Sequence, residues 1–351
     1  MKVNKLIALA GALVLSLSSC HNPVYDYEGD CEVKYRLRFV YDMNLKWADA
    51  FPSEVRSVNL YVFDSRGLFL TEFTDNTQAV NEPGYTMDLD LPAGDYTLVA
   101  WCGLGRTDVS EESFTVAAPV RAQTTLEELT CSLNAQKDAQ GELNSDTQLN
   151  FLYQGNMTVN LPDSQDGSEY LYTMYLTKDT NHIRIILQHL SATDMNPEDY
   201  GFSITAADAV MGYDNAIVSD EEVTYTPWEI EAGEAALGKE DAAGNVSLVY
   251  ANGVIADLSV ARMMAEQKDD MMLTITDTAN GRVIATVPLI HYALLSKGYY
   301  EQAYGHSMTD QEFLDREDEY VLTFFLDENN RWLDSTILIH SWRIVLHNYG
   351  V

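Results

Sequence analysis

Between Tyr35 and Tyr41 every second residue is large and apolar: Tyr35, Leu37, Phe39 and Tyr41 fall on one face, Arg36 and Arg38 on the other. A period of two is the mark of a half-buried strand, and it recurs. Tyr85, Met87, Leu89 and Leu91 alternate with Thr86, Asp88 and Asp90. Val58 to Asp64, the turn Ser65-Arg66-Gly67 and Leu68 to Phe73 read as a hairpin. Tyr96 to Trp101 (YTLVAW) and Tyr320 to Leu326 are apolar on both faces, which requires a sheet covered on both sides. Twenty-one tyrosines beside frequent Val, Ile, Thr and Leu favour strands over helices. Many short strands broken by turn residues predict an all-β chain built as sandwiches.

Further strands are expected at Met157–Leu161, Tyr170–Leu176, Ile183–Leu190, Phe202–Ala206, Val246–Tyr250, Met271–Thr276, Val283–Val287 and Ile337–Leu346. Met271 to Val287 repeats the layout of Val58 to Phe73, a strand ending in Asp, a Gly-bearing turn and a returning strand, and so suggests two related sandwiches. The loop-rich interval Pro162–Ser168 sets the expected division: an N-terminal sandwich over 32–163 and a C-terminal sandwich over 164–351. One helix is expected at Leu289–Tyr300, with Pro288 in its first turn, and Thr309 with Glu312 matches a capping box for a second. Thr124–Leu133 reads two ways: Thr125 and Glu128 could cap a short helix, while Leu129, Cys131 and Leu133 alternate like a strand. Gln136 to Asp146 is loop by composition.

The first twenty residues decide where the chain works. Lys2 and Lys5, an apolar run from Leu6 to Leu17, and Leu17-Ser18-Ser19-Cys20 form a secretory signal over 1–20. The run is shorter than the roughly 20 residues a spanning helix needs. Two small residues directly before Cys20 fit a lipobox, in which Cys20 carries the lipid and becomes the first residue of the mature chain. Residues 21–31 are a polar, acidic tether. A formal net charge of −33 argues against nucleic-acid partners. Of the remaining thiols, Cys102 and Cys131 are the pair expected to bridge in an oxidising compartment. Asp220-Glu221-Glu222 and Asp315-Arg316-Glu317-Asp318-Glu319, the densest acidic runs, read as solvated faces. No nucleophile elbow, zincin helix, phosphate loop or EF-hand spacing occurs, so neither catalysis, metal nor cofactor is expected.

Several stretches taken together carry a resemblance: YDYEGDC at Tyr25–Cys31, FVYDMNLKWADAF at Phe39–Phe51, VNLYVFDSRG at Val58–Gly67, LPAGDYTLVAWCGL at Leu91–Leu104, and the C-terminal run from MTDQEFLDREDEYVLTFFLD to ILIHSWRIVLHN. The chain resembles the fimbrial anchor subunits of Bacteroidales, the FimB-like minor subunits of type V pili. That resemblance implies two transthyretin-like β-sandwiches with one or two short helices and an acylated (diacylglyceryl, palmitoyl-bearing) Cys20. It also implies a place in the outer membrane at the base of a surface fimbria, where the subunit holds the stalk and ends its growth. Its partners would be fimbrial stalk subunits and outer-membrane lipid. Stalk subunits of such pili lose an N-terminal strand to an arginine-specific protease and receive a neighbour's C-terminal strand; Arg36 and Arg38 lie inside a predicted strand, which suits a chain left uncut. Leu338, Trp342, Ile344 and Leu346 are the candidate subunit-contact residues on the last strand, which either completes its own domain or is donated to a neighbour. Two other readings stay open: a fimbrial tip subunit, and a surface lipoprotein that binds glycan through Trp47, Trp228 or Trp332.

Overall fold

The structure, a computed structural model, describes residues 33–105, 111–164, 168–191, 193–240, 246–339 and 342–347. In chain order the first strands are β1 (Lys34–Val40), β2 (Val58–Asp64), β3 (Phe69–Asp75), β4 (Met87–Asp88), β5 (Gly94–Cys102), β6 (Phe114–Val116), β7 (Thr130–Leu133), β8 (Gln136–Lys137), β9 (Leu143–Ser145) and β10 (Tyr153–Leu161). Then come β11 (Glu169–Tyr175), β12 (Thr177–Lys178), β13 (Asn181–His189), β14 (Tyr200–Ala206), β15 (Val210–Gly212), β16 (Val223–Tyr225), β17 (Glu229–Glu240) and β18 (Val246–Val260). The last are β19 (Met272–Asp277), β20 (Arg282–Pro288), β21 (Glu319–Leu326), β22 (Trp332–Ile339) and β23 (Trp342–His347). The helices among the described residues are short: α1 (Phe51–Glu54), α2 (Leu289–Leu294), α3 (Lys297–Tyr304) and α4 (Asp310–Arg316). The all-β expectation holds.

Two sandwich cores result. In the first, sheet β11-β1-β4 faces sheet β12-β10-β5-β2-β3. The alternating residues Tyr35, Leu37, Phe39 and Tyr41 meet Val58, Leu60 and Val62 of β2 and Leu98, Ala100 and Cys102 of β5. Arg36 and Arg38 stay on the outer face, where Arg36 Nε donates to Asp88 (3.0 Å) and Arg38 to the Thr173 hydroxyl (3.2 Å). The second core lies between sheet β17-β18-β13-β21-β22-β23 and sheet β20-β19-β14-β16-β9-β8. Ile183, Ile185 and Leu187 of β13 sit there with Leu258, Ile204, Leu273 and Phe324. Both β5 and β21 are central strands, as their two apolar faces require.

The cores are not independent. Val99 and Trp101, on the reverse face of β5, are fully buried and belong to the second core's cluster, beneath Cys131 and Leu133 of the small sheet β15-β7-β6. Strand pairing therefore does not change partners at Pro162–Ser168. Beyond that interval β11 runs parallel to β1, and β12 pairs with β10, so the first sandwich's pairing continues to Lys178. In the other direction, β7 pairs with β15 and β9 with β16, so residues of the first half build sheets of the second. The physical reason is the second apolar face of β5, which needs a cover that only later strands complete.

Local chemistry explains most boundaries. Asp64 Oδ1 accepts from the Arg66 and Leu68 amides at the β2–β3 turn, and Asp277 Oδ1 accepts from Ala279 at the β19–β20 turn. Gly67 and Gly281 take positive φ in each (75° and 69°). Both readings of Thr124–Leu133 are realised in succession: the Glu128 carboxylate caps the Thr125 amide (2.8 Å) over a 3-10 turn, and β7 follows. The Thr309 hydroxyl accepts from the Glu312 amide (3.0 Å) and starts α4. The expected helix Leu289–Tyr300 is instead split at Leu295–Ser296, where the Ser296 hydroxyl turns back onto the Ala293 carbonyl, and it continues to Tyr304 before Gly305 caps it. Gln136–Asp146, expected as loop, holds the short strands β8 and β9.

Gly103 ends β5 at φ +98°, and a Cβ there would stand 2.1 Å from the Phe151 carbonyl oxygen. Gly103→Ala should cost about 2–4 kcal/mol, from the left-handed penalty plus the backbone shift the clash forces. Urea unfolding measures this; an unchanged midpoint would show that the turn relaxes freely.

Candidate functional site

The two cores meet at a seam of buried charge. Lys178, the last residue of β12, has a side chain only 5% exposed. It lies between the Glu54 carboxylate of α1 (3.5 Å) and Asp318, which it contacts closely, and its ammonium sits 3.7 Å from the centre of the Phe151 ring. The Tyr153 hydroxyl donates to the same Glu54 carboxylate (3.0 Å), and the Tyr153 ring packs edge-on against Tyr41. Burying a lone ammonium would be prohibitive; two carboxylates and a ring face make it tolerable.

A second cation repeats the device. Arg262 donates to Asp315 (2.8 Å) and to the Asn215 carbonyl, with Asp179 3.7 Å from its Nε. Asn215 Nδ2 in turn donates to Asp179 (2.8 Å). Arg316 reaches across to the first sandwich: it donates to the Asp42 carbonyl (3.0 Å) and stacks on Trp47 (3.5 Å), while Glu312 holds it from its own helix (3.0 Å). The Tyr300 hydroxyl donates to the Leu45 carbonyl (2.9 Å). Asp315-Arg316-Glu317-Asp318 is thus not the solvated face its composition suggested but the peg that locks one sandwich to the other. Asp220-Glu221-Glu222 is exposed. Only the apolar residues flanking the first run (Phe313, Leu314, Tyr320) hinted at burial.

The other predicted positions fall as follows. Cys20 lies outside the described residues. Cys102 and Cys131 are both free and buried, and they do not form the expected bridge. Cys102 belongs to the first core and Cys131 to the second, on opposite faces of β5, which no disulfide can span. Burial raises both thiols well above the usual range, which leaves them unreactive. The expected single strand Ile337–Leu346 falls instead on two antiparallel strands, β22 and β23; residues 340–341 lie outside the described residues. Leu338 lies in β22 opposite Val321 of β21, while Trp342, Ile344 and Leu346 lie in β23, the edge of its sheet, with Ile344 opposite Ile337. Of the three candidate tryptophans, Trp47 is 41% exposed with Arg316 over its ring, while the half-buried Trp228 lies beside His182 and Trp332 edge-on to Phe324.

Comparison with known proteins now bears on this arrangement. The family of fimbrillin-A associated anchor proteins Mfa1 and Mfa2 matches residues 27–348. The chain belongs to the Mfa2 anchor family. It is 23% identical over 235 residues to the minor fimbrium anchoring subunit Mfa2 of Porphyromonas gingivalis, covering 65% of this chain and 68% of that one. An adhesin-like protein of Bacteroides thetaiotaomicron of known structure is 30% identical with a TM-score of 0.72, covering 88% of this chain and 96% of that one. The solved fimbrial anchor protein Mfa2 of P. gingivalis shares the fold, with a TM-score of 0.62 at 16% identity over 90% of this chain and 99% of that one. The anchor family places the chain with the subunits of a cell-surface fimbrium, as a structural component.

Burial raises three carboxyls: Asp179 to about 7, Glu317 to about 8, and Asp208, which accepts from the Tyr225 hydroxyl (2.7 Å), to about 7. Their folded values lie above the unfolded ones, so between about pH 4 and pH 8 the folded state holds protons the unfolded chain has released. Stability should therefore fall across that window, by up to about 1.4 kcal/mol per pH unit per group, and level off above it. Asp208→Asn keeps an acceptor for Tyr225 and should melt increasingly above the parent protein as pH rises from 5 to 8. A constant offset across that range would contradict the assignment.

Proposed function

We propose that this chain is a lipid-anchored subunit that fixes a fimbria to the outer membrane and ends its growth. The observation that carries the reading is the family match over 27–348, directly behind a lipobox at Cys20. Acyl chains supply about 0.8 kcal/mol per buried methylene, and two or more give stable attachment. A chain of formal charge −33 has no comparable electrostatic attraction to an anionic leaflet.

Termination of growth draws support from the C-terminal hairpin. β22 pairs with β21 and β23 with β22, so the last strands are used within the chain's own sheet. Strands paired in this way are not free for donation by strand addition. The outer arginines of β1 fit the same role: β1 is flanked by β11 and β4, which leaves Arg36 and Arg38 in a paired strand rather than an accessible loop. The domain division belongs to this reading as well. We assign the first sandwich to residues 33–105 together with 153–178, and the second to the remainder.

Cys20→Ala should abolish acylation and release the protein, with its attached fimbriae, into the medium. Fractionation of cells bearing the variant checks this. Retention of the variant in outer membranes at the parent level would mean that a different anchor operates.

A further inference from the structure

The seam opens at the surface as a groove. One end is a cavity of about 400 Å³ bordered by Asn44, Asp49, Glu54 and Arg316. It shares Phe151, Lys178, Asp318 and Glu319 with a narrow neck of about 50 Å³. Gln148 and Leu149 carry the neck into a second cavity of about 370 Å³, bordered by Glu111, Glu112, Asn134, Asp146 and Asn150. Phe151, in the middle, is 43% exposed although large and aromatic. Both sandwiches contribute: Glu54 and Lys178 come from one side of the seam, Phe151, Thr180, Asp318 and Glu319 from the other.

Two features mark the groove as awaiting a ligand. Thr180 is 3% exposed and lines the neck, yet its hydroxyl has no hydrogen-bond partner. Asn150 Oδ1, in the second cavity, is also buried and unpartnered. Such orphaned groups are costly unless something supplies a donor. The electrostatics select the ligand's charge. The second cavity is bordered by the carboxylates of Glu111 and Asp146, with no Lys or Arg among its described residues. At the first, Lys178 and Arg316 are already committed to Glu54, Asp318 and Glu312.

We propose that this groove seats an extended polypeptide segment bearing lysine or arginine, contributed by the fimbrial subunit that the anchor holds. An extended segment presents backbone amides as donors to Thr180 and Asn150. Its basic side chains meet the carboxylates of the second cavity, and the exposed ring of Phe151 takes an aliphatic stem or a cation over its free face. Because the segment touches both sandwiches, binding clamps the seam shut instead of prying it open. The proposal rests on the anchor reading for the identity of the partner and on the groove for the place.

The test uses the full lipoprotein in fimbriated cells. Phe151→p-benzoylphenylalanine should photocross-link to the fimbrial shaft subunit, at a peptide containing Lys or Arg. Glu111→Lys with Asp146→Lys, both at exposed positions that leave the seam intact, should cut that cross-link at least tenfold and shed fimbriae into the medium. Purified shaft subunit should bind the parent protein more weakly as salt rises. A cross-link to glycan instead of polypeptide, or a doubly substituted protein that cross-links and retains fimbriae like the parent, overturns the proposal. A strain lacking the protein separates the two readings. If it keeps its fimbriae attached, the anchor role itself falls. If it sheds them while the groove variants hold theirs, the groove alone is wrong.

Discussion

Everything in this molecule follows from β5 being buried on both faces. Leu98, Ala100 and Cys102 fill the first core while Val99 and Trp101, equally inaccessible, face the second. A strand of that kind cannot lie on the outside of a sandwich, because its reverse face would expose an apolar stripe. The chain answers by laying the small sheet β15-β7-β6 over it, and that sheet draws strands from both halves of the sequence. The two sandwiches are thereby committed to one another before any polar contact is considered. Such a shared strand turns two small domains into a single body that resists being pulled apart.

The charged seam adds specificity to that apolar commitment. Lys178 and Arg262 are each set between carboxylates drawn from separate segments, Glu54 with Asp318 and Asp179 with Asp315. Buried ion pairs of this kind contribute little net stability, because desolvation offsets most of the attraction, but breaking one is costly. The Lys178–Asp318 pair crosses from one sandwich to the other and so fixes a docking geometry: any other register would strand its charge. Cation–π contacts of Lys178 on Phe151 and Arg316 on Trp47 hold the long side chains in place while covering the rings from one side.

Period-two patterning made most strands legible, because a half-buried strand writes its burial into every second residue. Val58–Asp64 matches β2, and Tyr320–Leu326 lies within β21. Capping chemistry at Thr125 and Thr309 was equally readable, since it is local. What could not be read was partnership at long range. Nothing in Glu169–Tyr175 says that it lies parallel to β1, so Pro162–Ser168 reads as a boundary although the pairing of the first sandwich continues beyond it to Lys178. Cys102 and Cys131 each sat in an apolar stretch, but their separation by the thickness of β5 is a fact of topology. The acidic run at Asp315–Glu319 misled because charge usually marks solvent; its burial depends on Lys178 and Arg262, far away in sequence. The groove was invisible for the same reason, being assembled from loops around residues 44–54, 111–150 and 318–319.

The most direct test of the shared-strand account is equilibrium unfolding in denaturant with hydrogen exchange read by mass spectrometry at two places, β10 in the first sandwich and β19 in the second. If β5 joins both cores, the two strands should lose protection together, with one midpoint and one cooperative transition. Separate midpoints, with β10 persisting after β19 has opened or the reverse, would contradict it and return the molecule to two independent sandwiches on a string.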